Sequence, residues 1–104
     1  MIRLAALVSS YATPIVAFAP TKRLVEELAQ LPGWMGIAGS FGDLDLAVEA
    51  FNDGALGGLA LTYGAGSMGF RLPAAKTLVL IGTAPADVMA QACARAPQAK
   101  TVFL

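Results

Sequence analysis

Apolar and polar positions along the chain switch repeatedly between a helical and a strand-like period. Leu4, Leu7 and Val8 share one face of a short opening helix, which Pro14 stops because it has no N–H to donate. Pro14-Ile15-Val16-Ala17-Phe18-Ala19, ended by Pro20, is a continuous apolar run, as in a strand buried on both faces. Thr21 can cap a helix through Leu31, with Leu24, Val25, Leu28 and Leu31 inward and Glu26, Glu27 and Gln30 outward. Pro32-Gly33 ends it, and Trp34 to Ala38 predicts a second strand closing at Gly39. Asp43 can cap the next helix, whose inward set is Leu44, Ala47, Val48 and Phe51 and whose end is Asn52-Asp53-Gly54. Gly58 to Thr62 reads as a third strand, Tyr63 to Gly69 as a glycine-rich loop and Lys76 to Ile81 as a fourth strand. Pro85 suits the first turn of a helix to about Ala94, Pro97 lies beyond it, and Lys100 to Phe103 is a final strand.

Strands that alternate with helices and have no polar face predict a parallel sheet covered on both sides. Ligands in such sheets collect where strand C-termini open into loops. Those loops are Pro20-Thr21-Lys22, Gly39-Ser40-Phe41-Gly42, Tyr63 to Gly69, and Gly82-Thr83-Ala84. No internal repeat or low-complexity tract interrupts the pattern.

The 104 residues suffice for one domain with a modest core. They are 57% apolar and 13% charged, greasier than a typical soluble domain, which implies a covered surface as well as buried strands. Seven basic residues balance seven acidic ones, so no broad basic field is available and any DNA or RNA contact must be local and weak. With no histidine and only Cys93, the chain has no zinc ligand set, no Ser-His or Cys-His dyad and no internal disulfide; the cytoplasm is the expected compartment. Met1-Ile2-Arg3 followed by an apolar run and Ala17-Phe18-Ala19 imitates a secretory signal, but Ser9, Ser10, Tyr11, Thr13 and Pro14 cut that run in two. Gly54 to Phe70 is uncharged yet carries six glycines, so no membrane span is expected.

The glycine-rich segment invites a phosphate-loop reading, which the chain does not support. A Walker-type loop needs Gly-Lys-Ser/Thr so that a lysine reaches the terminal phosphates, and that triplet is absent. Gly64, Gly66 and Gly69 do stand at G-x-G-x-x-G spacing, but after the third strand, with Arg71 and Pro73 where a helix should start. Several glycines are equally explained by a tight turn.

From Pro14 to Val102 the order of motifs resembles the C-terminal RecA-like lobe of superfamily 2 helicases and translocases, nearest to the Swi/Snf-type branch. Pro14-Ile15-Val16-Ala17-Phe18 and its helix look like motif IV. Gly39, then Asp43 to Phe51 with Asn52-Asp53-Gly54, resembles the family's "G…F-n-x-G" passage, and Leu61 through Ala75 looks like motif V. Gln91-Ala92-Cys93-Ala94-Arg95-Ala96 is similar to the "Q-A-x-x-R-A" that opens motif VI. The resemblance implies a single three-layer α/β domain of the RecA-like, P-loop-NTPase type, with a parallel sheet of about five strands and no P-loop of its own.

The same resemblance implies nucleotide-facing positions at Gln91, Arg95 and Gly69, and nucleic-acid contacts from Thr21, Lys22, Thr62, Tyr63, Gly64, Gly66 and Ser67. Each has a plainer reading. Thr21 serves a helix cap, Lys22 a solvated surface, and Arg95 the negative end of a helix dipole. N–H groups of Gly64 to Ser67 can form an anion-binding concavity or simply a turn. Trp34 and Met35 are expected in the core rather than as base-stacking platforms, and Cys93 as a small buried hydrophobe.

The departures weigh against a self-sufficient motor. The family's motif VI has a later arginine where this chain has Gln98, and Pro97 beside it cannot continue a helix. A neutral amide cannot place positive charge on a developing phosphoryl group. Arg71 stands where the family has asparagine, and the Walker A lysine and acidic metal-binding pair of the other lobe are absent. No catalytic residue or metal site is expected in this chain, and ATP with Mg only at an interface with a second lobe. Three functions follow as expectations: docking on a separately encoded ATPase lobe in nucleic-acid transactions; a lobe mimic or relic that regulates a partner protein; or a small nucleotide-binding module. Self-association is compatible with all three, and no membrane partner is expected.

Overall fold

The computed structural model of the chain describes residues 4–38 and 43–104. Among them the elements run α1 (Leu4–Ser9), β1 (Ile15–Ala19), α2 (Lys22–Leu28), β2 (Trp34–Ile37), α3 (Leu44–Asn52) and β3 (Gly58–Thr62). A 3₁₀ helix, η1 (Tyr63–Met68), follows, then β4 (Thr77–Leu80), α4 (Ala86–Ala94) and β5 (Lys100–Phe103). The predicted exit loop Gly39-Ser40-Phe41-Gly42 and the opening Met1-Ile2-Arg3 lie outside the described residues.

The five strands form one sheet in the order β2-β3-β1-β4-β5, and every neighbouring pair is parallel. Helix positions follow from the handedness of crossovers. Passing from β1 to β2 the chain moves one way across the sheet, and α2 packs with Ile15, Ala17 and Ala19 on one face. From β2 onward it moves the other way, and α3, η1 and α4 pack with Val16, Phe18, Leu59, Leu61, Leu78 and Leu80 on the opposite face. Right-handed connections require this change of face when direction reverses. The result is the three-layer α/β architecture expected from the alternation of elements.

Burial is complete where a strand has two neighbours. All of β1 and β4 and most of β3 are buried, whereas β2 and β5 at the edges are partly exposed. The expectation that every strand is covered on both faces therefore fails at the edges, because among the described residues no further strand lies beyond them. It fails for two aromatic and sulfur side chains in particular. Trp34 is half-buried and lies flat over Gly58, where an added Cβ would sit 1.9 Å from its ring, and Met35 is 40% exposed. Cys93 is half-buried at the margin of the core rather than enclosed.

The stretch that imitates a signal cleavage site, Ala17-Phe18-Ala19, is part of the middle strand. Helix α2 starts as expected, with Thr21 Oγ1 accepting from Leu24 N–H at 3.2 Å, but ends at Leu28 rather than Leu31. Asp43 occupies the N-cap of α3 without a side-chain capping bond. The segment read as a loop from Tyr63 is wound into η1 instead. Its glycines permit that winding: a Cβ on Gly66 would lie 3.3 Å from the Ala92 backbone, and Gly69 ends the helix in the left-handed region at φ 78°.

Candidate functional site

Helix α4 starts beyond the C-terminal end of β4 and returns to the start of β5, so Arg95 lies at the N-terminal edge of the sheet. There it meets residues 70–75, which form no helix or strand yet are held by hydrogen bonds at four of their six carbonyls. Arg95 Nη1 donates to Phe70 O at 3.1 Å and Asn52 Nδ2, from the last turn of α3, to Arg71 O at 3.0 Å. Gln98 Nε2 donates to both Leu72 O at 2.9 Å and Ala75 O at 3.0 Å. Leu72 N–H in turn donates to Arg95 O at 2.8 Å, the shortest of these ties between the segment and the helix end. Side chains thus do for this loop what a neighbouring strand does for a ladder.

Arg95 is the hub. Its Nε donates to Gln91 O at 3.2 Å, one turn back on its own helix, and its guanidinium stands 5.9 Å from the centre of the Phe70 ring. Arg95 donates to a carbonyl in the last turn of its own helix, as the helix-end reading expects, and it borders an open cleft. That cleft is lined by Arg71, Leu72, Pro73, Arg95, Pro97 and Gln98. Two arginines and, among the described residues, no acidic residue line it, a local excess of basic side chains on a chain of zero net charge. Gly69 is exposed and would place a Cβ 4.0 Å from Arg95 Nη1, so it borders the same arginine, while Gln91 is exposed on α4.

The remaining predicted positions lie elsewhere, at the C-terminal edge where β1 and β3 end. Thr21 and Lys22 are exposed, and Thr62 is half-buried. Gly64 and Ser67 are exposed on η1, with Ser67 Oγ donating to Gly64 O at 2.8 Å. Tyr63 and Gly66 are buried. The Tyr63 ring stacks on Phe18 with centroids 6.0 Å apart, and its hydroxyl donates to Ile81 O at 2.9 Å, spanning β1 from the end of β3 to the end of β4. This fills the crevice between strand ends where open α/β sheets hold small ligands. Burial, and secondarily Cys93, raises the pKa of that phenol above the ordinary tyrosine range.

Two residues were not singled out as site members by sequence. Arg71 registered only as a departure from the expected asparagine, and Asn52 only as part of a helix end. What joins them is contact between segments 19 residues apart, and no periodicity signals that. Asn52 Oδ1 is buried with no donor among the described residues, so the amide is positioned by its single bond to Arg71 O. Among the described residues no cluster of His, Cys, Asp and Glu could hold a metal ion, and no helix is long and apolar enough to cross a membrane.

No protein-family model matches the sequence, and no curated protein matches it. The fold, by contrast, has clear counterparts. The chain is similar to the RNA helicase Prp28 from Chaetomium thermophilum bound to ADP, with TM-score 0.75 and 19% identity over 97% of this chain and 28% of that one. It is also similar to the C-terminal part of the Fun30 ATPase domain, with TM-score 0.65 and 18% identity over 86% of this chain and 33% of that one. The chain therefore shares the RecA-like α/β fold of these two neighbours. It spans no more than a third of the length of either neighbour.

Proposed function

We propose that this chain works as the C-terminal RecA-like lobe of a helicase- or translocase-type assembly. It docks on an ATPase lobe, separately encoded or supplied by another partner, which brings the phosphate-binding loop and the groups that hold Mg. One observation carries this reading: the segment resembling the end of motif V and the helix end resembling motif VI meet at a single cleft flanked by Arg71 and Arg95. A cleft with cations and no phosphate loop is half of a nucleotide site, because phosphoryl transfer also needs the phosphates cradled and a metal placed. The chain alone turns over no ATP. At the other edge, exposed Thr21, Lys22, Gly64 and Ser67 offer a local contact to a nucleic-acid backbone, which zero net charge keeps weak.

Gln98 favours a second reading, a lobe mimic that binds and regulates a partner protein. It stands where the resemblance expects the later arginine, and its amide is turned onto the Leu72 and Ala75 carbonyls. The two readings separate when the chain is mixed with an ATPase lobe encoded beside it and ATP turnover is followed with single-stranded RNA or DNA. The first expects turnover only in the mixture, falling about tenfold or more in Arg95→Ala. Turnover unchanged in that variant removes its nucleotide role, and a stable complex without turnover selects the mimic. Micromolar mononucleotide binding by the chain alone, seen as a raised Tm, selects a small nucleotide-binding module instead.

A further inference from the structure

We propose that Arg71 and Arg95 together form an oxyanion subsite, in which Arg71 supplies the second cation that the Gln98 position lacks. The ligand is a phosphate group, and its identification as the terminal phosphate of a nucleotide rests on the lobe reading above. Arg71 is exposed, and its backbone is fixed from both sides. Its own carbonyl is held by Asn52, the preceding carbonyl by Arg95, and the following residue by Arg95 O and Gln98 Nε2. Its guanidinium makes no hydrogen bond or ion pair among the described residues, where the one ion pair joins Arg23 and Glu27. The rooted main chain places Arg71 at the rim of the cleft, and its uncommitted guanidinium is available to a ligand at the cost of ordering one side chain.

Arg95 complements it. Nε and one Nη1 hydrogen are spent on Gln91 O and Phe70 O, which fixes the guanidinium plane and leaves its Nη2 group for a ligand. No carboxylate lines the cleft to compete. The free Arg71 fork and the remaining Arg95 Nη2 donors suit a tetrahedral oxyanion, since a free fork gives paired charge-assisted hydrogen bonds to phosphate oxygens and Nη2 adds a further donor. Gln98 then has a role consistent with its neutrality. It holds the loop that carries Arg71, and the charge comes from Arg71 itself.

The test titrates inorganic phosphate into the isolated chain at constant ionic strength and follows backbone amide shifts. Saturable shifts at Phe70, Leu72, Arg95 and Gln98 are expected, with affinity falling about tenfold in Arg71→Gln and less in Arg71→Lys, which keeps charge but loses the fork. Arg71→Gln keeps its Tm, because only the main chain of residue 71 is bonded, and Arg23→Gln, an exposed position on α2, keeps its phosphate affinity. Shifts that never saturate, or equal losses in Arg71→Gln and Arg23→Gln, overturn the subsite. The titration uses neither a second lobe nor nucleic acid. Its failure beside Arg95-dependent turnover in the mixture removes only the role of Arg71, whereas saturable phosphate binding without any lobe docking removes only the lobe reading.

Discussion

The two faces of the sheet are packed at different scales. On the face covered by α1 and α2 the strand positions include Ala17, Ala19 and Ala60, and Gly36 sits so close to α2 that an added Cβ would lie 2.9 Å from Ala29 Cβ. On the other face Phe18, Leu59, Leu61, Leu78 and Leu80 rise into α3, η1 and α4, with Phe51 and Leu72 filling between them. Small residues let one helix approach closely; large ones hold three elements farther out and leave their ends free to meet. The pinned loop and the arginine cleft belong to the second face, because Asn52, Arg95 and Gln98 all lie at or just beyond ends of its helices. The difference teaches where this fold can carry chemistry: at the junction of several element ends, and not under a single close-packed helix.

The comparison breaks most sharply if the large face is hollowed. Phe18 is fully buried and stacked on Tyr63, so Phe18→Ala is expected to cost about 3–5 kcal/mol in denaturant unfolding. The small face fails by the opposite change. Gly36→Ala drives a methyl against Ala29, Val25 Cγ1 and the Val25 carbonyl, all 2.9–3.1 Å from the new Cβ, and is expected to cost about 1–3 kcal/mol. If Gly36→Ala is neutral, the close approach of α2 is not a constraint and the two faces differ only in composition.

Much of this layout was legible in the chain, for identifiable reasons. Ile15 to Ala19 and Leu78 to Leu80 stand out because strands with neighbours on both sides are predominantly apolar. The same signal misplaced Trp34 and Met35. Apolarity marks a strand without saying whether it is central, and strand order depends on crossovers that span the whole chain. For the site, Arg95 was legible from motif order, and the Thr21 cap from local hydrogen-bonding chemistry. Arg71 and Asn52 were not, because their roles arise from one contact made after α3 and the loop had both been placed. The strand-exit rule pointed to the C-terminal edge, whereas the arginine cleft lies at the N-terminal edge of the same sheet.

Two smaller changes sharpen the contrast at its loops. Gln98→Ala leaves the Leu72 and Ala75 carbonyls without their side-chain donor, an expected loss of about 1–2 kcal/mol. Amide hydrogen exchange then accelerates across residues 70–76 before it does in β1; a uniform acceleration would mean that the pinning is not local. On the other face, Thr21→Ala removes the cap of a helix already held by Val25 and Leu28, and about 1 kcal/mol is expected to go. The same experiment should show exchange rising in the first turn of α2 and nowhere in the arginine loop.

The smallest effect concerns Tyr63, a side chain that touches both faces. Tyr63 stacks on Phe18 of the large face, while its hydroxyl donates to the carbonyl of Ile81, whose side chain packs with the small one. Burial, then Cys93, raises the phenol's pKa in the folded chain. Folding therefore favours the protonated phenol. That contribution is present below about pH 10, at which an unfolded tyrosine is half ionised, and is lost as pH rises through the higher folded value. Other groups titrate in the same range, so the quantity to measure is the stability of the wild-type chain minus that of Tyr63→Phe, by denaturant unfolding from pH 8 to 11. The difference is expected to shrink and then to favour the phenylalanine variant, because a buried phenolate can neither donate to Ile81 O nor remain solvated. A difference that stays constant with pH would mean that the Tyr63 hydroxyl is as free in the folded chain as in the unfolded one, and that the faces are joined by stacking alone.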